Sequence, residues 1–260
     1  MRKSILVVLM VLVVLMGITG CGSKNSEGGK NLHSEEIKKF VVGLDDNFPP
    51  MGFRSESGEI IGFDIDLAKE AAKRIGYEVE FKAVDWDGVL LSLNNGDIDA
   101  IWNGLTITEE RKEKIGFTDE YLVNNQIIVV KGESDIDTKA ELNDRSVGVQ
   151  MGSSSQAVLE NIKDEIGIKE IKKYANNVDA LLDLKAGRIQ GVVVDEVVGR
   201  YYMTKNGGSY RVLEETLGGE SYGVGFRKDD SEFGEELNKV LIDMKEDGTF
   251  DKIKETWFGK

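Results

Sequence analysis

The side chains that carry most enzyme chemistry are nearly missing from this chain. It has one histidine, His33, and one cysteine, Cys21, both near the N-terminus. The rest of the chain therefore offers no imidazole base, no thiol nucleophile, no disulfide and no Cys/His zinc site. Carboxylate, Lys and Tyr chemistry stays open. Acids are plentiful, but none falls in an Asp-rich loop with calcium spacing, so no metal is expected. What stands out instead is polar residues at the ends of apolar stretches. Residues 98–102 read as a buried strand that delivers Asn103, Gly104 and Thr106. A helix then starts at Thr108, with Glu109 and Glu110 in its first turn and Arg111 just inside. Residues 189–194 read as a matching strand that delivers Asp195. Gly152, Ser153, Ser154 and Ser155 fall at a strand-to-helix turn, where free backbone N–H groups can hold an anion. Plain readings stand beside these: a solvated first-turn arginine, an aspartate capping the next helix, a serine loop.

In open α/β sheets ligands bind beyond the carboxyl ends of the strands, so the elements behind these residues matter. Residues 37–44 read as a strand, followed by a turn holding both prolines, Pro49 and Pro50. A helix follows Gly62, with Ile65, Ala68, Ala72 and Ile75 on one face and Gly76 as its stop. Residues 77–81 alternate as a strand, and 87–95 form a helix with Leu90 and Leu93 inward, stopped by Gly96. The rhythm then repeats: strand 146–149, helix 155–163, strand 169–174, helix 178–186, strand 189–194. Residues 90–98 and 181–189 align without gaps, sharing Leu, Leu, Leu, Gly and Ile at the same offsets. Shared helix–Gly–strand grammar accounts for this as well as duplication does. Either way the fold class is α/β, with two similar substructures, each a mostly parallel sheet with helices on both faces.

Composition agrees with a folded acidic body. The 260 residues are 40% hydrophobic and 31% charged, with a net charge of −14. That balance excludes a nucleic-acid binder, which needs basic patches, and excludes adhesion of the folded part to anionic lipid. The first 20 residues read as an address. Arg2 and Lys3 precede an apolar run over 5–16, too short to span a bilayer comfortably. Ile18-Thr19-Gly20-Cys21 then resembles a bacterial lipobox, in which the cysteine is lipidated and becomes the mature N-terminus. Residues 21–35 are a lipidated cysteine and a polar Gly/Ser-rich tether with a reach of roughly 20 Å. His33 lies in or beside it and is given no role. Losing Arg2 and Lys3 with the leader takes the net charge from −14 to −16. The expected location is the outer face of the bacterial cell membrane, held by acyl chains.

Ordered stretches make the reading more specific: residues 62–67 (GFDIDL), 104–111 (GLTITEER), 149–154 (VQMGSS), 247–250 (DGTF) and 257–259 (WFG). In this order they resemble the polar amino-acid family of extracytoplasmic solute-binding proteins serving ABC importers. The resemblance implies a two-lobed fold of the periplasmic-binding-protein type II, with two hinge crossings, closing on ligand. Mapped here, lobe 1 is 36–121 plus 223–260, lobe 2 is 126–218, and the hinges fall near 122–125 and 219–222. It implies that Arg111 grips a ligand α-carboxylate, for which its planar fork suits bidentate binding. Thr106 and Gly104 fall where the family surrounds the carboxylate and amine, and Ser153 or Ser154 where lobe 2 completes the carboxylate site. Asp195 corresponds to the carboxylate that pairs with the α-ammonium. Asp45, Phe48, Phe53 and Trp86 match side-chain contacts, and Gln150 and Met151 shape the same pocket. Asn103 departs from the small residue usual before that glycine. Asp46 and Asp64 read as turn or cap residues.

An acid beside aromatics suits a cation, so lysine or arginine is the first expectation, with glutamine or cystine the alternative. No cofactor is implied. The expected partners are a membrane permease and its ATPase, the protein itself being a monomer. The competing classes are a dehydratase of the same fold, for which no extra acid pair stands out, a sensor module, which needs a further signalling domain, and a structural lipoprotein.

Overall fold

The computed structural model describes residues 38–259. The readings placed on the leader, Cys21, the tether and His33 lie outside these residues.

Strand β1 (Lys39–Leu44) opens the first sheet. A small three-stranded sheet follows, made of β2 (Asn47–Phe48), β3 (Gly52–Arg54) and β4 (Ile60–Ile61). Helix α1 (Phe63–Ile75) buries Ile65, Ala68 and Ala72 and ends on a left-handed Gly76, as its periodicity dictates. Then come β5 (Glu78–Ala83), α2 (Val89–Asn94) and β6 (Ala100–Ile101), followed by α3 (Glu109–Lys114) and β7 (Gly116–Phe117). The long strand β8 (Leu122–Lys131) carries the chain into a second sheet. There follow β9 (Ser146–Gln150), α4 (Ser154–Ile166), β10 (Glu170–Tyr174), α5 (Asn177–Lys185), β11 (Gly191–Asp195) and α6 (Glu196–Lys205). Strand β12 (Tyr210–Tyr222) pairs antiparallel along β8, from Tyr210 opposite Lys131 to Tyr222 opposite Leu122. It returns the chain to β13 (Gly225–Phe226) of the first sheet, which α7 (Ser231–Glu246) and α8 (Thr249–Phe258) then cover.

The two five-stranded sheets share one plan. Their orders are β5-β1-β6-β13-β7 and β10-β9-β11-β8-β12. In each, the first three strands are parallel and the fourth alone is reversed. The expected mostly parallel sheets are present, and the reversed strand is what the sequence reading lacked. Strand 98–102 contracts to β6, because only Ala100 and Ile101 find register partners on β1. The aligned segments fold alike. The N–H groups of Asn95, Gly96 and Asp97 bond back to Leu91, Leu93 and Ser92; those of Ala186, Gly187 and Arg188 bond back to Leu182, Leu184 and Asp183.

Burial on both faces explains the unbroken apolar strands. On β11, Val193 packs with Val147, Val149 and Leu159, while Val192 and Val194 turn to Leu181, Leu184 and Val198. Among the described residues no helix is long and apolar enough to cross a membrane.

Candidate functional site

The carboxyl ends of β6, β9 and β11 converge, and the side chains they deliver meet between the sheets. Thr108 caps α3, its Oγ1 accepting from the Arg111 N–H at 3.1 Å. This aims the Arg111 side chain inward, where it is only 8% exposed. Its guanidinium donates to the Thr106 carbonyl at 2.9 Å and across to the Gly152 carbonyl at 3.1 Å. Further N–H groups of the fork remain for a ligand. Burial pulls its pKa down, and the carboxylates of Glu220 and Asp195 oppose that. Thr106 Oγ1 and Ser154 Oγ, from opposite sheets, are 3.0 Å apart.

Asp195 lies at the other end, 4% exposed. It occupies the cap position of α6, yet its side chain makes no cap bond. Instead Oδ1 accepts from Asn124 Nδ2 (2.9 Å), Gln126 Nε2 (3.0 Å) and the Tyr222 hydroxyl (2.7 Å). Burial, reinforced by nearby Glu220, pushes its pKa well up.

A third group faces a surface cavity of about 480 Å³, lined by Asp45, Asp85, Trp86, Leu91 and Asn176 among others. Asp45 is 6% exposed, and burial raises its pKa. Its backbone N–H donates to Asn103 Oδ1 at 3.0 Å, so Asn103 orients the turn that carries it. Its carboxylate accepts from the Asn47 N–H (2.9 Å) and from Gln150 Nε2 (2.7 Å) of the opposite sheet. The rings of Phe48 and Trp86 are parallel within 6°, with centroids 6.4 Å apart. Gly104 at φ +59° brings backbone against the Phe48 and Tyr222 rings, where a Cβ would sit 2.9 Å from Phe48.

The structure does not bring every candidate together. Phe53 lies elsewhere, its ring against Tyr201 (5.7 Å) and Trp257 (5.9 Å) in a separate cavity. The hairpin register explains this. Phe48 pairs with Gly52 and Phe53 with Asn47, so the two rings leave opposite faces. Ser153 is a cap: its Oγ accepts from Gln156 N (3.1 Å) and donates to the Gln150 carbonyl (2.7 Å). Met151 is tied through its backbone, N–H to the Tyr174 carbonyl. The reading of Asp64 as a turn or cap residue fails, because its carboxylate is an acceptor beneath the site. Oδ2 takes the Gly104 N–H at 2.7 Å and the Tyr121 hydroxyl at 2.9 Å. Asn124, Gln126, Glu220 and Tyr222 were missed. Three consecutive amides, Asn124, Asn125 and Gln126, ahead of the apolar run 127–130 were the available signal.

A buried guanidinium from the first sheet's side and a buried carboxylate at the end of a strand of the second define a polar site between two α/β sheets. The family follows from comparison. Residues 40–260 match the model for bacterial extracellular solute-binding proteins, family 3. The chain is 31% identical over 260 residues to an arginine-binding extracellular protein, ArtP, of Bacillus subtilis, covering 98% of each. It is 36% identical to the histidine-binding periplasmic protein of Salmonella typhimurium, over 85% of this chain and 88% of that one. An ancestral arginine-binding protein, solved with arginine and again with glutamine, superposes with a TM-score of 0.81 at 44% and 43% identity. Each match covers 85% of this chain and 98% of that one. The chain belongs to the bacterial extracellular solute-binding proteins, family 3, and has their two-lobed α/β fold.

Proposed function

We propose that this chain captures a polar L-amino acid, first of all one with a cationic side chain, between lobes 36–121 plus 223–260 and 126–218, hinged near 122–125 and 219–222. Arg111 takes the α-carboxylate, assisted by Thr106 and Ser154, and Asp195 takes the α-ammonium. Arg111 comes from the first sheet's side and Asp195 from the second. Only the closed form offers both charges to one ligand, so ligand favours closure. Phe48 and Trp86 present ring faces to a side-chain cation, and Asp45 carries its counter-charge. Cys21 anchors the protein to the membrane, where it hands the ligand unchanged to a permease and its ATPase. The observation that carries this reading is the buried Arg111 fork facing the buried Asp195 carboxylate.

A neutral amide side chain is the second reading. It is favoured by the amide already on Asp45, since Gln150 Nε2 donates to that carboxylate at 2.7 Å. One structurally similar protein holds either arginine or glutamine.

A thermal-shift panel of L-amino acids, cystine and D-enantiomers, run on protein unfolded and refolded to strip carried ligand, tests both. A ligand at a hundredfold excess over Kd adds about 2.7 kcal/mol of stability. We expect the largest shift with arginine or lysine, and loss of affinity by at least about thirtyfold in Arg111→Ala, from about 2 kcal/mol or more of lost charged bonding. A larger shift with glutamine or cystine would keep the clamp and replace the cationic reading. No response to any amino acid would overturn the proposal.

A further inference from the structure

The ammonium end holds two carboxylates. In the second sheet β8 lies between β11 and β12. Asn124 and Gln126, two residues apart on β8, present their amides to the same face. Each amide nitrogen donates to both neighbours. Asn124 Nδ2 reaches Asp195 Oδ1 at 2.9 Å and Glu220 Oε1 at 2.7 Å. Gln126 Nε2 reaches them at 3.0 and 2.8 Å. Ser155 donates to Gln126 Oε1 at 2.6 Å, which turns the NH2 of that amide toward the acids. Oδ1 of Asp195 and Oε1 of Glu220 are thus held beside the same two nitrogens. The Tyr222 hydroxyl adds one more bond to Asp195 alone.

The titratable groups around this pair are few. Arg111 of α3 faces it, and Tyr222 of β12 touches it, with Tyr121 behind. Glu196 of α6 is turned away to Asn125 Nδ2 (2.7 Å) and Arg200. The stretch of β8 beside the pair, Leu122–Gln126, carries no ionisable side chain. Two carboxylates this close, one of them buried, cannot both ionise without cost. The hydrogen bonds that hold the pair are all made within the second sheet and α4, with Asn124, Glu220 and Tyr222 in the segments proposed as hinges.

We propose that Glu220 is a second carboxylate of the ammonium subsite, that its charge beside Asp195 keeps a proton on Asp195 while the site is empty, and that an arriving ammonium displaces this proton. The O–H bond breaks, its electron pair stays on the carboxylate, and the proton passes to water. The ligand's N–H bonds are untouched and nothing is oxidised or reduced. The inference rests on the proposed role of Asp195 as ammonium partner. Because binding releases a proton, affinity rises with pH until Asp195 is ionised in the empty site, by at most tenfold per unit for one proton.

Two measurements test it. Carbon-13 carboxyl NMR of the ligand-free protein should show one carboxyl titrating well above the ordinary Asp/Glu range. Glu220→Gln, which keeps an acceptor for Asn124 and Gln126 and leaves Asp195 buried, should move that titration to clearly lower pH. Calorimetry with L-arginine, in two buffers of different ionisation enthalpy at one pH, should show proton release in the wild type. The release should be smaller in Glu220→Gln, whose affinity should lose its pH dependence at a lower pH than the wild type. Ordinary titration of both carboxyls, or equal proton release in the two proteins, would overturn the proposal. The first measurement needs no ligand. Failure of L-arginine to bind would therefore count against the proposed function, while the titration still decides the proton pair.

Discussion

Asp64 is fully buried beneath Gly104, with Oδ2 bonded twice and Oδ1 without a partner. Burial lifts its pKa from 3.8 to about 7, against the opposing effect of its donors. An unfolded chain releases this proton near 3.8, whereas the folded one holds it to about 7. The contribution to stability is thus present below the lower value and lost as pH rises through the upper one. Asp64→Asn keeps an acceptor for Gly104 and Tyr121 and cannot ionise. Equal stability of variant and wild type is expected at pH 4, with the variant more stable at pH 8 by on the order of 4 kcal/mol. Urea unfolding at both pH values checks this; parallel pH profiles would refute it. The residue scale is also where the sequence was least legible. Asp195 ends β11, and Thr106 and Arg111 follow β6 in the loop and first helical turn, positions that local pattern does mark. The surroundings of Asp64 and Glu220 are set by neighbours 40 and 25 or more positions away, which no local pattern encodes.

At the scale of elements, the two aligned segments show what local grammar does fix. Leu93 and Leu184 are fully buried, whereas Leu91 and Leu182 are 64% and 53% exposed, at matching offsets in the two copies. Helical periodicity demands one of each, since residues two apart on a helix face different directions. Leu93→Ala should cost about 2–5 kcal/mol through lost burial and a cavity, and Leu91→Ala less than about 0.5 kcal/mol. Denaturant melts of the pair test this, and equal losses would mean the helix is rotated. Helices, their glycine stops and the parallel strands were legible for this reason. The reversed fourth strand of each sheet was not, because β13 and β8 pair with strands far away in sequence. Phe53 was misplaced on the same ground: the hairpin register, invisible in composition, decides its face.

At the scale of the whole molecule, the seam between the lobes is the remaining question, and Gly152 is the place to ask it. Its carbonyl accepts from Arg111, and a Cβ on it would lie 2.7 Å from the Asp87 Cα, backbone against backbone. Its φ is +71°, so alanine there also carries left-handed strain of about 1–2 kcal/mol. Gly187 separates the two effects. It has φ +75° and nothing within 4 Å of a Cβ, so Gly187→Ala carries the strain without the collision. If the lobes close on ligand as proposed, small-angle scattering of the wild type should show a smaller radius of gyration with L-arginine than without. Gly187→Ala should lose thermal stability yet close and bind as the wild type does. Gly152→Ala should lose comparable stability, stay expanded with ligand present and bind at least tenfold more weakly, since the strand ends cannot approach far enough for Arg111 and Asp195 to share one ligand. Equal affinity in the two variants would mean that the seam yields by side-chain adjustment, and that the clamp does not need the backbone contact seen between Gly152 and Asp87.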